Sequence, residues 1–279
     1  MSVTHDPQPT REPEPPIYGL VPTRALGVQP PPVTGGGCTR YLVPTLFPLR
    51  DINPTRIAPV VTLVLIAANL VVFFLIQGRG TPDEQQALVY ERAAISCEVT
   101  TGAPLGAEEI GSDVCLAGAQ DPIFPDKNVW LALVTSMFLH ASIGHVLFNM
   151  WFLWIFGNNV EEAYGHIGYL LMYLLGGLAA TAAYIVTNPE ATVPLVGASG
   201  AIAVTMGAYT VLFPGHRILS LVGWLLLPVP AALFLIFWFV AQFSLGGTGT
   251  AWEAHAGGFV FGAVVSLLVR SRLMRRVPR

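Results

Sequence analysis

Residues 196–213 read VGASGAIAVTMGAYTVLF, a serine set between two glycines and followed by an apolar run that stops at Phe213. A helix over Ser199–Phe213 reaches only roughly 22 Å, against the ~30 Å hydrocarbon core of a bilayer. If Phe213 reaches one face of a membrane, Ser199 lies below the other, and the loop from Pro189 to Ala198 dips in with it. Non-helical backbone at that depth is tolerated only where protein encloses it or it lines a wet cavity. An aqueous pocket around Ser199 is therefore expected.

The rest of the chain supplies the membrane context. Of 279 residues, 53% are apolar and 11% charged, with a mean hydropathy of +0.60; soluble domains carry about a quarter charged residues. Ala58–Gln77 is almost continuously apolar and about as long as a bilayer crossing requires. Five further apolar spans fall at roughly 143–160, 167–187, 199–213, 230–244 and 251–270. The pattern predicts an all-α integral membrane protein with six transmembrane helices, the fourth being short. The net charge of −3 provides no basic field for a nucleic acid, which is excluded as a partner.

Outside the spans, residues 1–57 are proline-rich, include Pro30–Pro32 and Gly35–Gly37, and read as a mostly disordered tail. Met1–Pro16 has no apolar core of a secretory signal, so the first span is expected to act as the targeting signal. Residues 78–129 form a long acidic loop, and residues 271–279 a basic tail. Arg50, Arg56, Arg217, Arg272, Arg275, Arg276 and Arg279 collect on the side of both termini, which the positive-inside rule makes cytoplasmic in a cell membrane. The acidic loop then faces an oxidising space. There Cys97 and Cys115 either form a bridge, stabilising by roughly 3 kcal/mol, or remain free thiols. Cys38, on the reducing side, is expected to be free. The three cysteines lack metal-ligand spacing, and no metal is expected.

Polar residues inside spans are costly and point to function. Ser199 sits in the first turn of span four, where unpaired backbone N–H groups can stabilise an oxyanion, and Gly197 and Gly200 leave room for a substrate backbone. Span six reads EAHAGGFVFGAVVS, with Ala254, Gly258, Gly262 and Ser266 forming a small-residue ridge beside His255. A matching ridge of Ser199, Ala203 and Gly207 would bring Ser199 and His255 together as nucleophile and general base, with no acidic third member in view. His145 and Asn149, four apart on span two, could donate to an oxyanion beside the Ser199 N–H. Each feature also has a plainer reading. GASG serves close helix packing, His255 can bond a carbonyl, and His145 and Asn149 can bond neighbouring helices. The three alternating spans that carry them run in the same direction, which places His145, Ser199 and His255 at one depth.

HASIGHVLFN at 140–149, GASG at 197–200 and AHAGGFVFG at 254–262 resemble, in order and spacing, the rhomboid family of intramembrane serine proteases. PLRDINPTR before span one, FGNNVEEAYG after span two and the aromatic LFLIFWF of span five extend the resemblance from Pro48 to Arg270. It implies a Ser–His dyad protease with a short central fourth helix that cleaves transmembrane helices of other proteins near the outer leaflet of the lipid bilayer, commonly after a small residue, without a cofactor. It carries the nucleophile to Ser199, the base to His255, the oxyanion side chains to His145 and Asn149, and a structural acid to Glu161. It also implies a substrate gate at span five and the loop Leu245–Thr250, with Phe237, Trp238 and Phe239 at its opening. Two positions depart from the pattern. Trp130 is followed by Leu131 rather than Arg, and Ala203 stands where relatives place an aromatic under the catalytic imidazole. The rival functions are a non-catalytic rhomboid-like binder of membrane clients and a small-solute transporter. The second lacks any visible inverted repeat.

Overall fold

A computed structural model describes residues 46–112, 114–116, 121–245 and 249–275. The tail to residue 45, with Cys38, and Arg276 and Arg279 lie outside the described residues. The first long helix, α1 (Val60–Val71), continues as a π-helical turn over Val72–Gln77. Three short helices follow, α2 (Pro82–Arg92), α3 (Ser96–Thr101) and α4 (Ala107–Ser112). Beyond them come α5 (Val129–Thr135), α6 (Ile143–Tyr164), α7 (His166–Thr187), α8 (Ser199–Leu212), α9 (Ala231–Gln242) and α10 (Trp252–Leu273). The apolar helices begin and end within a few residues of the spans read from the sequence.

The assembly is a mostly helical membrane bundle. The α1–π segment, α7 and α10 are each long and apolar enough to cross a bilayer. α5, with the 3₁₀ turn after it, and α6 make a fourth candidate, bent by 78° between its two halves. α8 and α9 are apolar but shorter. α8 is the innermost helix: Ala201–Tyr209 are all buried, whereas the other helices leave large apolar side chains such as Leu63, Leu171 and Leu268 on the outside. An apolar exterior around a small-residue centre is the pattern expected when lipid, not water, is the solvent.

Glycines set the distance between α8 and α10. A Cβ on Gly258 would lie 2.4 Å from the Gly200 carbonyl oxygen, and one on Gly262 only 1.9 Å from that of Val204. From the other side, a Cβ on Gly207 would lie 2.0 Å from the Phe259 oxygen. The expected α10 ridge is present. Its partner on α8, however, is Gly200, Val204 and Gly207 rather than Ser199, Ala203 and Gly207, a face rotated by about one residue. That rotation leaves Ser199 at the edge of the contact, where its hydroxyl can reach a side chain.

The chain is not all-α. β1 (Leu46–Asp51), β2 (Arg217–Val222) and β3 (Leu225–Pro230) form an antiparallel sheet in the order β1-β2-β3. β1 runs Leu46↔Val222 to Asp51↔Ile218 with an irregularity between Pro48 and Arg50, and Gly223 at φ +62° turns β2 into β3. Proline lacks a ladder donor, so Pro48, Pro228 and Pro230 fall on the two edge strands. Residues 46–51 were expected in the disordered tail, but pairing partners far along the chain order them. The Trp151 indole donates to the Pro48 oxygen (2.8 Å), and Tyr209 donates to Asp51 (2.7 Å), fastening the sheet to α6 and α8.

The acidic loop is also folded. Tyr90, Ile95, Cys97, Leu105, Ile110 and Ile123 make a small core of their own, closed by a Cys97–Cys115 disulfide. Inside it Lys127 pairs with Glu98 at 2.5 Å and donates to the Tyr90 oxygen. Burial pushes the Glu98 carboxyl up and the Lys127 ammonium down, and each partner holds back part of the other's shift. This cap is tied to the segment before α8. The Leu195 N–H donates to the Ala94 oxygen (2.8 Å), and the Cys97 N–H to that of Ala191 (3.0 Å).

Glu161 is fully buried at the opposite end of the bundle and caps α1. Its carboxylate accepts from the N–H groups of Val61 and Thr62 (both 2.8 Å) and from the Thr62 hydroxyl (2.7 Å), with His166 2.6 Å away. A carboxylate at a helix start satisfies donors that have no intrahelical partner and complements the helix dipole. Glu161→Ala strands those donors, and a loss of about 3 kcal/mol is expected. Thermal unfolding in detergent reads it directly, and an unchanged midpoint would contradict this role.

Candidate active site

Ser199 is the first residue of α8, and His255 stands in the first turn of α10. The close glycine contact between these helices brings His255 Nε2 to 2.7 Å from Ser199 Oγ. The pair sits at the end of the bundle covered by the cap. The imidazole is held from α9: its Nδ1 is 2.7 Å from Gln242 Oε1, and the Trp238 ring lies beside it at 5.9 Å between centroids.

His145 and Asn149 come to the same place from α6. A Cβ on Gly197 would lie 2.9 Å from His145 Nε2 and 3.5 Å from Asn149 Nδ2, so both side chains look across the glycine that precedes the serine. Gly197 has φ +126°, a conformation that side-chain-bearing residues rarely adopt, and its N–H donates to the Ser136 oxygen (3.0 Å). His145 Nδ1 accepts from the Ala141 N–H (3.4 Å), which leaves Nε2 free to carry the proton and face the site. Asn149 Nδ2 is buried without a hydrogen-bond partner among the described residues. A buried amide donor without a partner costs about 1–3 kcal/mol and is the kind of group a ligand oxygen would satisfy.

The sequence-predicted residues thus converge: Ser199, His255, His145, Asn149 and Gly197 surround one point. Gly200, Gly258 and Gly262 belong to the helix contact that supports it. A family model described as the rhomboid domain matches residues 127–272, more than half of the chain. The chain belongs to the rhomboid family.

Similarity to curated rhomboid proteins is partial in length. The chain is 30% identical over 150 residues to Rhomboid protease GluP of Bacillus subtilis, covering 54% of this chain and 24% of that protein. It is 31% identical over 144 residues to Presenilin-associated rhomboid-like protein A, mitochondrial, of Danio rerio, covering 49% and 37%. It is 39% identical over 80 residues to Rhomboid-like protein 11, chloroplastic, of Arabidopsis thaliana, covering 29% and 28%. The match therefore spans less than half the length of each of these relatives.

This rhomboid handles its two departures in different ways. Leu131 is half exposed next to exposed Trp130, at the start of α5. Ala203 is wholly buried, and the ring beside His255 comes instead from Trp238 on α9. Of the aromatics read as a gate, Trp238 and Phe239 pack against Phe259 of α10, and Phe237 is half exposed. Residues 246–248 of the Leu245–Thr250 loop lie outside the described residues. The sequence reading missed Gln242. It is the one polar side chain in ALFLIFWFVAQ, and that isolation in an apolar helix was the available signal.

Proposed function

We propose that this rhomboid is an intramembrane serine endopeptidase that hydrolyses peptide bonds in or near transmembrane segments of other membrane proteins. The observation that carries the reading is the 2.7 Å contact of Ser199 Oγ with His255 Nε2 at the start of a helix. In this reading His255 Nε2 takes the hydroxyl proton as Ser199 Oγ attacks the scissile carbonyl carbon. The oxyanion that forms is met by the Ser199 N–H, Asn149 Nδ2 and His145 Nε2. Collapse breaks the C–N bond, and His255 gives its proton to the leaving amine. Water, deprotonated by the same imidazole, then hydrolyses the acyl-serine and returns Oγ its proton.

The topology that goes with this activity has six crossings, with the short α8 central and both termini cytoplasmic in a cell membrane. Arg50, Arg56, Arg217, Arg270 and Arg272 at the sheet end support that orientation. In the same reading Phe237, Trp238 and Phe239 of α9 form the side on which a substrate helix enters.

A serine-directed fluorophosphonate probe tests the nucleophile without a known substrate. Labelling of the wild type at Ser199, lost in His255→Ala, is the expected result; no labelling of the wild type would remove the basis for the proposal. Asn149→Ala is expected to lower kcat by about tenfold to a hundredfold with little change in KM, because the donor engages an oxyanion present only in the transition state. Steady-state cleavage of a labelled single-span substrate in detergent measures both constants. A rise in KM alone would assign Asn149 to substrate binding instead.

A further inference from the structure

We infer that Gln242 is a positioning residue that sets the tautomer of His255. The inference rests on the reading of His255 as general base. Gln242 is 4% exposed at the end of α9. Its Nε2 donates to the Trp238 carbonyl oxygen of its own helix (3.0 Å), and its Oε1 lies 2.7 Å from His255 Nδ1. A carbonyl oxygen can only accept, so the Trp238 contact decides which way the amide faces: the NH₂ goes to Trp238 and the oxygen to the imidazole. An amide oxygen also only accepts, so Nδ1 must carry the imidazole proton. Nε2 then holds the lone pair that faces Ser199 Oγ at 2.7 Å, as a base requires.

The opposite tautomer would place an N–H on Nε2, donating to a serine oxygen whose proton it is meant to take. The Trp238 carbonyl, the Gln242 amide and the imidazole thus form a short relay of fixed direction that ends at the nucleophile. A neutral amide suits this site. A carboxylate buried on an apolar helix would incur a desolvation cost of several kcal/mol, while an amide fixes the tautomer without introducing a charge. An amide, however, adds no charge to stabilise the imidazolium. Among the described residues, the other groups facing His255 are the Trp238 ring, Ser199 and the His145 imidazole from α6, and on its own helix Glu253 neighbours Tyr184 of α7.

The test uses the full chain in liposomes with a labelled single-span substrate, and compares wild type, Gln242→Leu, Gln242→Glu, Ser199→Ala and His255→Ala. Gln242→Leu is expected to lower kcat by about tenfold at unchanged KM, the loss that follows when one hydrogen bond no longer holds the base. Gln242→Glu should restore part of kcat, because its oxygen can still accept from Nδ1. It should also move the acid limb of the pH–rate profile to higher pH, because a carboxylate favours the protonated imidazole. A residue that merely fills space would not move that limb. Two outcomes separate the claims. If Ser199→Ala and His255→Ala are inactive while both Gln242 variants match the wild type in kcat and pH profile, the positioning role is overturned and the protease reading stands. If Ser199→Ala and His255→Ala cleave as well as the wild type, the protease reading itself falls.

Discussion

Ser199→Ala and His255→Ala are each expected to reduce cleavage of a labelled single-span substrate to background, a fall of about 10⁴-fold or more. Ser199→Ala should leave the melting midpoint unchanged, whereas His255→Ala should lower it because Gln242 Oε1 loses its partner. The unchanged midpoint of Ser199→Ala follows from how narrowly that side chain is used. Ser199 Oγ contacts His255 Nε2, and the hydroxyl supports no helix cap, since α8 begins without a side-chain cap bond. Alanine is also the best helix former, so the substitution leaves α8 intact while removing the attacking oxygen. Because serine and histidine act as one unit, the double variant should be no worse than either single one. Wild-type turnover by Ser199→Ala would exclude the serine mechanism. A wild type that binds single-span proteins but never cleaves them would instead mark a client binder.

The second large effect concerns a residue that touches no substrate. Gly262→Ala is expected to destabilise the bundle by about 3 kcal/mol and to abolish most activity, and Gly262→Leu to prevent folding. A Cβ at 262 would stand 1.9 Å from the Val204 carbonyl oxygen, a backbone atom that cannot swing aside as a side chain would. The helices must therefore separate by more than an ångström, and they are the two that carry Ser199 and His255. A shift of that size at the reacting atoms alone costs about a hundredfold in rate. Gly215→Ala is the matched control, because a Cβ there meets nothing within 4 Å. Thermal unfolding and single-turnover cleavage report the two effects separately. A Gly262→Ala protein as stable and as fast as the Gly215→Ala control would show that close packing does not set the Ser199–His255 distance.

Much of the bundle was legible in the sequence, because membrane helices carry their signal locally. An apolar run such as Ala58–Gln77 needs no partner to be recognised, and a buried polar residue inside one stands out by its cost. Ser199, His255, His145 and Asn149 could be singled out for that reason, and the α10 ridge by its four-residue spacing. The face that α8 turns to that ridge was read one residue off. Both candidate faces carry small residues, and only the packed helices decide between them.

By itself, the sequence determined the order of the apolar helices, the shortness of α8, the end of the bundle that holds the polar cluster, and the four side chains in that cluster. Tertiary structure alone decided the sheet, the folded cap and the support of the imidazole. β1 and β2 pair through residues such as Asp51 and Ile218, far apart in the chain, and neither strand has a local pattern strong enough to declare itself. The Cys97–Cys115 bridge needed the cap to bring the two Cα atoms to 5.6 Å. Ala203 marked a missing aromatic beneath His255, but no spacing rule says that a helix in contact will replace it. That Trp238 does so, and that Gln242 meets the imidazole, depends on the rotation and depth of α9 against α10, quantities set by packing between helices and not by any periodicity within one.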